Sequence, residues 1–97
     1  MLACMWKLAP ILALAALAGP AGAACYADYK ARQTDPLRLH YGVIEVPDSA
    51  CTPQAAAPLI AERIAEDGWQ LLNVLGTFGE AGLERRRESA GQYFLRY

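Results

Sequence analysis

The stretch E-D-G-W-Q-L-L-N-V-L, residues 66–75, decides the fold that the sequence predicts. Gly68 offers a helix stop, because glycine reaches positive φ without steric cost. The apolar run after it would suit a helix or a strand by spacing, but it follows that stop directly and contains Trp69 and Val74, which favour strands. We therefore predict a central strand, apolar on both faces, with Trp69 and Leu72 in the core on opposite sides.

A helix is predicted before this stretch. Its apolar stripe has helical spacing and consists of Ala56, Leu59, Ile60 and Ile64. Thr52 and Pro53 resemble a helix cap followed by a first-turn proline, but Pro58 cannot donate a hydrogen bond inside a formed helix. A start near Ala55 places Pro58 in the first turn, where the missing N–H costs little.

Two strands are predicted in the first half of the mature chain. Residues 26–32 alternate, with Ala27, Tyr29 and Ala31 on one side, and residues 34–36 form a turn. Residues 37–46 form a second strand whose apolar phase changes midway. Either a β-bulge at Gly42 and Val43 restores the phase, or Val43 is buried and Ile44 packs under the sheet edge.

The remaining sequence completes an α+β pattern. Residues 80–90 have the spacing of a short helix, and residues 92–97 form a closing strand with Tyr93, Leu95 and Tyr97 on one face. The order is ββαβ(α)β. It predicts a small antiparallel sheet in which strands 1 and 2 form a hairpin, strands 3 and 4 pair, and one main helix packs on one face.

Three segments, D-Y-K at 28–30, E-D-G-W-Q-L-L-N-V at 66–74 and Y-F-L-R at 93–96, resemble a widespread family of small bacterial domains of unknown function. That family has a Tyr-Lys strand, a helix ending in Gly-Trp-Glu-Leu, and an aromatic closing strand. Here Gln70 replaces the usual Glu, and residues 37–46 form a long inserted strand. The mature chain also resembles uncharacterised secreted proteins of alphaproteobacteria. The resemblance implies a helix-on-sheet fold and no activity.

Residues 1–24 have the features of a secretory signal peptide, which leaves residues 25–97 as a single domain. Lys7 is the only charge in that segment, an apolar run follows it, and small residues permit cleavage after Ala23 or Ala24. The run is about half of the roughly 20 residues that span a bilayer, so we expect no transmembrane segment in the mature chain. The predicted location is periplasmic or secreted.

The cysteine count favours one disulfide. Cys4 leaves with the signal, and the mature chain keeps Cys25 and Cys51. A bond between them in an oxidising compartment would close a loop worth about 3.5 kcal/mol in the loop-entropy model. The alternative is lipid attachment at Cys25, although Gly22 stands where lipoprotein signals usually place an aliphatic residue, and Cys51 would then be unpaired.

The charge and the single histidine argue against several functions. Without Lys7 the chain has 8 Lys and Arg against 10 Asp and Glu, a net charge of −2, which does not fit a nucleic-acid partner. His40 falls on the polar side of the second strand and is predicted to be a surface or edge residue. One histidine cannot form a usual zinc site, so we expect no metal and no cofactor.

The basic run Arg85, Arg86 and Arg87 is the candidate partner-binding feature. These guanidinium groups could bind acidic groups beside the closing strand, or they could form a solvated helix face neutralised by Glu80, Glu84 and Glu88. Most aromatic residues are predicted to pack in the core or at its edge rather than around a ligand. They are Tyr26, Tyr29, Tyr41, Trp69, Tyr93, Phe94 and Tyr97.

We expect a non-catalytic binding or interaction module whose partner is an unknown protein or cell-envelope component. An active site needs several converging reactive groups, and this sequence supplies few. The alternatives are a small hydrolase with His40 beside Ser49, a thiol-active enzyme using a free Cys51, and an envelope protein anchored by lipid at Cys25.

Overall fold

A computed structural model describes residues 24–97. Residues 1–23, which are all but the last residue of the predicted signal peptide, lie outside the described residues. Three antiparallel strands form one sheet in the order β2-β1-β3. The elements are β1 (Cys25–Gln33), β2 (Arg38–Val46), α1 (Pro53–Ala65), β3 (Gln70–Phe78) and α2 (Glu84–Ala90). The predicted α+β class, the hairpin of the first two strands and the short second helix are confirmed.

Strand β1 is the central strand. Its first five residues are buried on both faces, whereas Lys30 is exposed. Ala27, Tyr29 and Ala31 are fully buried in the cluster that includes the α1 side chains, as the alternating pattern predicted. On the opposite face, Tyr26 packs in a second cluster with Ala90 of α2. The prediction that β3 is central was wrong, because β3 pairs with β1 alone and lies at the sheet edge.

Helix α1 begins at Pro53, two residues before the predicted start. The Thr52 hydroxyl accepts a hydrogen bond from the Ala55 N–H and caps the first turn, which leaves Pro58 inside the helix. The predicted apolar stripe is confirmed, because Ala56, Ile60 and Ile64 are fully buried and Leu59 packs against them. Their burial together with the cap offsets the hydrogen bond that Pro58 cannot donate.

The predicted glycine stop is also confirmed. Gly68 has φ +82°, its N–H donates to the Ala65 carbonyl, and the Trp69 N–H donates to the Ile64 carbonyl. This pair of bonds is a Schellman motif, which satisfies the last carbonyls of α1 and directs the chain into β3. Trp69 is buried at the junction, as predicted.

Of the two alternatives for the phase change in β2, the bulge at Gly42 and Val43 is wrong, and the irregularities lie in β3 instead. β2 pairs with β1 residue by residue, and Val43 and Ile44 are both buried because this end of the sheet is covered on both faces. In β3, Leu72 and Leu75 have no partner in the β1 register. Each bulge turns one leucine away from α1, so Leu72 is 47% exposed and the prediction that it is a core residue was wrong.

The predicted closing strand is absent from residues 92–97. A 3₁₀ turn over Gly91–Tyr93 is followed by a single parallel bridge between Phe94 and Val43 of β2. Leu95 then donates its N–H to the Val43 carbonyl, and its φ of +57° ends any strand-like alternation. This C-terminal segment therefore lies along the outer edge of β2 and does not pair with β3.

The predicted disulfide is confirmed between Cys25 and Cys51, whose Cα atoms are 5.9 Å apart. It joins the first residue of β1 to the turn before α1. Because the sulfur of Cys25 is bonded to Cys51, it does not carry a lipid in this structure, and Cys51 is not a free thiol. The disulfide therefore contradicts two alternatives, lipid attachment at Cys25 and a thiol-active enzyme that uses a free Cys51.

Removal of the disulfide should lower stability. The Cys25→Ser/Cys51→Ser variant loses a loop constraint worth about 3.5 kcal/mol, so its thermal unfolding midpoint should fall well below that of the oxidised protein. Reductant should lower the midpoint of the unsubstituted protein and leave that of the variant unchanged. Equal midpoints for the oxidised protein and the variant would show that the bond contributes nothing.

Candidate functional site

His40 lies inside the protein and not on its surface, which corrects the sequence prediction. Its side chain is on the α1 side of β2, and the residue is only 8% exposed. The imidazole stacks on the Tyr93 ring with centroids 3.7 Å apart and meets the Trp69 ring edge-on at 4.2 Å. Its Nε2 atom lies 3.0 Å from the Tyr29 hydroxyl oxygen. We call His40, Tyr29, Trp69 and Tyr93 the histidine cluster.

Tyr29 reaches His40 by crossing over the neighbouring strand at Gly42. The register pairs Tyr29 with Gly42. A Cβ atom on Gly42 would lie 2.5 Å from the Tyr29 hydroxyl oxygen and 2.6 Å from the ring carbon that carries it. Gly42 is therefore required by this close approach and not by a turn or a bulge.

Substitution of Gly42 by alanine should destabilise the protein. The added methyl group displaces a fully buried tyrosine ring, and overpacking of this kind costs about 1–3 kcal/mol. Urea unfolding measures the loss. Gly79→Ala is the matched control, because a Cβ there meets nothing within 4 Å. Equal stability of the two variants would contradict the packing described for Tyr29.

Burial lowers the pKa of His40 to about 4. The imidazole is neutral at pH 7, and its Nδ1 atom is buried without a hydrogen-bond partner in the described part of the chain. A protonated ring would need two acceptors and a counter-charge. The groups around it are the uncharged Tyr29, Tyr93 and Trp69, and the Arg38 guanidinium lies 5.6 Å from the Trp69 ring centroid. These surroundings disfavour the cation.

Stability should therefore decrease in acid through His40. The folded pKa lies below the ordinary value of 6.5, so the unfolded chain takes up the proton first and the free energy of unfolding decreases as pH falls from 6.5 towards about 4. The decrease should be at most about 3 kcal/mol. His40→Phe keeps an aromatic ring but cannot titrate.

Urea unfolding at several pH values between 7 and 4.5 tests this assignment. The free energy of unfolding should fall more steeply with decreasing pH in the unsubstituted protein than in His40→Phe. Carboxylates titrate in both proteins, so their contributions to the pH dependence of the free energy of unfolding cancel in the comparison. Parallel pH profiles would show that His40 is not buried in its neutral form.

The residues proposed for a hydrolase do not converge. Ser49 is exposed in the 3₁₀ turn over Asp48–Ala50, which follows the end of β2, whereas His40 is buried near the start of that strand. Val46, the last residue of β2, lies about 20 Å along the strand from His40. Within residues 24–97, no group of three His, Cys, Asp or Glu side chains could hold a metal ion.

The three arginines of α2 point in different directions. Arg86 donates to the Asp28 carboxylate at 3.1 Å and to the Gly82 carbonyl at 2.7 Å, so it is part of the fold. Arg87 pairs with Glu84 at 3.4 Å. This pair fits the alternative in which neighbouring glutamates neutralise the arginines on a solvated helix face. Arg85 is exposed. The run therefore does not present three equivalent cations to a partner.

Asp28 anchors α2 to the sheet. Its Oδ2 atom accepts hydrogen bonds from Arg86 Nε and from the Tyr41 hydroxyl at 3.0 Å, and the Arg86 guanidinium lies 3.8 Å from the centre of the Phe78 ring. Burial and the bond to Asp28 raise the pKa of Tyr41 to about 12. These contacts hold α2 over the end of the sheet that contains Tyr26 and Val43.

The rest of that sheet face is open, and leucines are exposed on it among polar side chains. Two shallow depressions of about 320 and 540 Å³ share Lys30 and Tyr41 as lining residues, and together we call them the leucine groove. Leu39 is 66% exposed, and the two bulge residues Leu72 and Leu75 are each 47% exposed. The residues that line the groove are Lys30, Ala31, Leu39, His40, Tyr41, Leu72, Leu75, Arg85, Arg86 and Ser89.

The leucine groove was not predicted from the sequence. Leu72 was predicted to be a core residue, because leucine is usually buried. The available signal was the phase change in residues 37–46. If the buried phase of β2 runs through His40, Gly42 and Ile44, Leu39 must point to the opposite face.

Comparisons of this chain with protein families, with curated proteins and with solved structures find no match. None of the helices within residues 24–97 is both long enough and apolar enough to cross a membrane.

Proposed function

We propose that this domain is a non-catalytic binding module of an exported, oxidising compartment, and that it binds a protein or cell-envelope partner through the leucine groove. The observation that carries the proposal is the exposure of three leucines, Leu39, Leu72 and Leu75, on one face of the sheet. Large exposed apolar patches are uncommon on monomeric domains and usually mark interaction sites.

The energetics of the groove support a docking role. Burying one leucine side chain completely contributes about 1.5–3 kcal/mol, and Leu39, Leu72 and Leu75 are 66%, 47% and 47% exposed, so covering all three would contribute about 2–5 kcal/mol. A micromolar complex, at about 8 kcal/mol, needs further contacts with the partner. The cations beside them would contribute less, because exposed ion pairs are worth about 0–1 kcal/mol. In this proposal the leucines provide affinity, and the cations select the partner.

The groove replaces the binding surface expected from the sequence. That surface combined Arg85, Arg86 and Arg87 with an edge of the closing strand, but no closing strand forms over residues 92–97 and Arg86 is bonded to Asp28. Of the three arginines, Arg85 and Arg86 line the groove. Of these two, Arg85 is exposed and Arg86 is half-buried.

The exported location rests on two observations. The Cys25–Cys51 disulfide is consistent with an oxidising compartment. The sequence of residues 1–24 has the charge, apolar run and small residues of a signal peptide. Periplasmic or secreted location is therefore part of the proposal.

A binding experiment with groove variants tests the proposed function. The immobilised domain is incubated with an envelope extract of the cells that make it, and Leu39→Gln/Leu72→Gln is compared with the unsubstituted domain. Retention of specific proteins or envelope components should be lost with the groove variant, because two apolar contacts are replaced by amides.

Leu95→Gln is the matched control. Leu95 is 43% exposed but lies on the C-terminal segment outside the groove, so this variant should retain what the unsubstituted domain retains. Circular dichroism establishes that all three proteins are folded. Absence of retention by the unsubstituted domain, or equal retention by all three, would contradict the proposed function.

A further inference from the structure

The leucine groove exists because one sheet face is only partly covered. Each strand has nine residues and is about 30 Å long, whereas α2 has seven residues and measures about 10 Å in length and in diameter. Whether α2 runs along the strands or across them, it covers about a third of their length. The open part has room for a second helix in the same layer.

The groove is wide enough for a helix. Leu39 on β2 and Leu72 on β3 lie on either side of β1, and Lys30 of β1 lines the same depression. Three strands are about 10 Å wide, which is close to the diameter of a helix with side chains. Leucines on two sides can therefore contact one apolar stripe from both flanks.

The charge of the groove is positive. Lys30 and Arg85 line it and form no salt bridge with any residue in the described range 24–97, whereas Arg86 is neutralised by Asp28. None of its lining residues within that range is acidic. A complementary occupant carries carboxylates beside its apolar stripe.

We infer that the leucine groove binds an acidic amphipathic α-helix of a partner protein, which packs beside α2 with its apolar stripe on Leu39, Leu72 and Leu75 and its carboxylates near Lys30 and Arg85. This inference rests on the proposed function and specifies the chemistry of the partner.

Two other occupants fit the observations less well. A second copy that packed groove to groove would bring the Lys30 and Arg85 side chains of both copies together, and like charges in contact are unfavourable. An anionic bilayer is disfavoured because the domain carries a net charge of −2 after removal of Lys7.

The test uses a synthetic peptide of about 15 residues with leucines at helical spacing and glutamates beside them, labelled for fluorescence anisotropy. One companion peptide has lysines in place of the glutamates, and another has serines in place of the leucines. The acidic amphipathic peptide should bind at least about tenfold more tightly than either companion, and its binding should weaken as salt is added.

Charge reversal in the protein locates the site. Lys30→Glu and Arg85→Glu should each weaken binding of the acidic peptide several-fold. Arg96→Glu changes the net charge by the same amount, but Arg96 is exposed on the C-terminal segment, so it should have little effect. If all three variants behave alike, the peptide does not occupy the groove and the inference is overturned.

The remaining outcomes separate this inference from the proposed function. Equal binding of acidic and basic peptides, or no peptide binding, would overturn the acidic helix as partner, while groove-dependent retention from the extract would leave the proposed function standing. Phosphatidylglycerol vesicles that sediment with the domain unless Lys30 is reversed would assign the groove to a membrane. A dimer in sedimentation equilibrium that Leu72→Gln dissociates would assign it to self-association.

Discussion

His40 packs between the rings of Tyr93 and Trp69 and shares a hydrogen bond with Tyr29, and most of the architecture meets at this contact. Tyr29 belongs to the central strand, His40 to β2, Trp69 to the junction of α1 and β3, and Tyr93 to the C-terminal segment. These segments are far apart in the chain, so their packing closes several loops at once. The cost is a neutral histidine with one buried nitrogen that has no hydrogen-bond partner within residues 24–97, and three aromatic contacts and one hydrogen bond offset this cost.

The same constraint explains the open surface on the other side of the sheet. With His40, Gly42 and Ile44 facing α1, Leu39 and Tyr41 must face away from it. In β3 the two bulges leave Leu71, Val74 and Thr77 as the residues that pair with Ala31, Tyr29 and Ala27 on the helix side, and they turn Leu72 and Leu75 outwards. α2 then covers only the end held by Asp28 and Arg86. The leucine groove is therefore a consequence of how the core is filled.

Features determined by neighbouring residues could be predicted from the sequence. They include the alternation of β1, the stripe of α1, the Gly68 stop and the pairing of Cys25 with Cys51. Features that depend on distant partners could not. In β3, every third residue faces α1, namely Leu71, Val74 and Thr77. This spacing resembles a helical period, so the two bulges could not be recognised in the sequence. His40 looked polar because only the fold brings three aromatic rings around it. The closing strand was expected from the aromatic alternation of residues 93–97, but Leu95 adopts a positive φ and the segment follows the edge of β2. For the candidate site, the sequence predicted Arg85 as a cation available to a partner, whereas Leu72 was assigned to the core and lines the groove instead.

The central claim is that the histidine cluster holds the C-terminal segment on the sheet. The most direct measurement is the hydrogen exchange rate of the Leu95 amide, which donates to the Val43 carbonyl at 2.8 Å, in Tyr93→Ala compared with the unsubstituted protein. Loss of the stacked ring should release the segment, so the Leu95 amide should exchange about tenfold faster or more, beyond any change in the amides of the β1–β2 ladder. An unchanged Leu95 rate, with the variant folded, would contradict the claim that this cluster anchors the C-terminal segment.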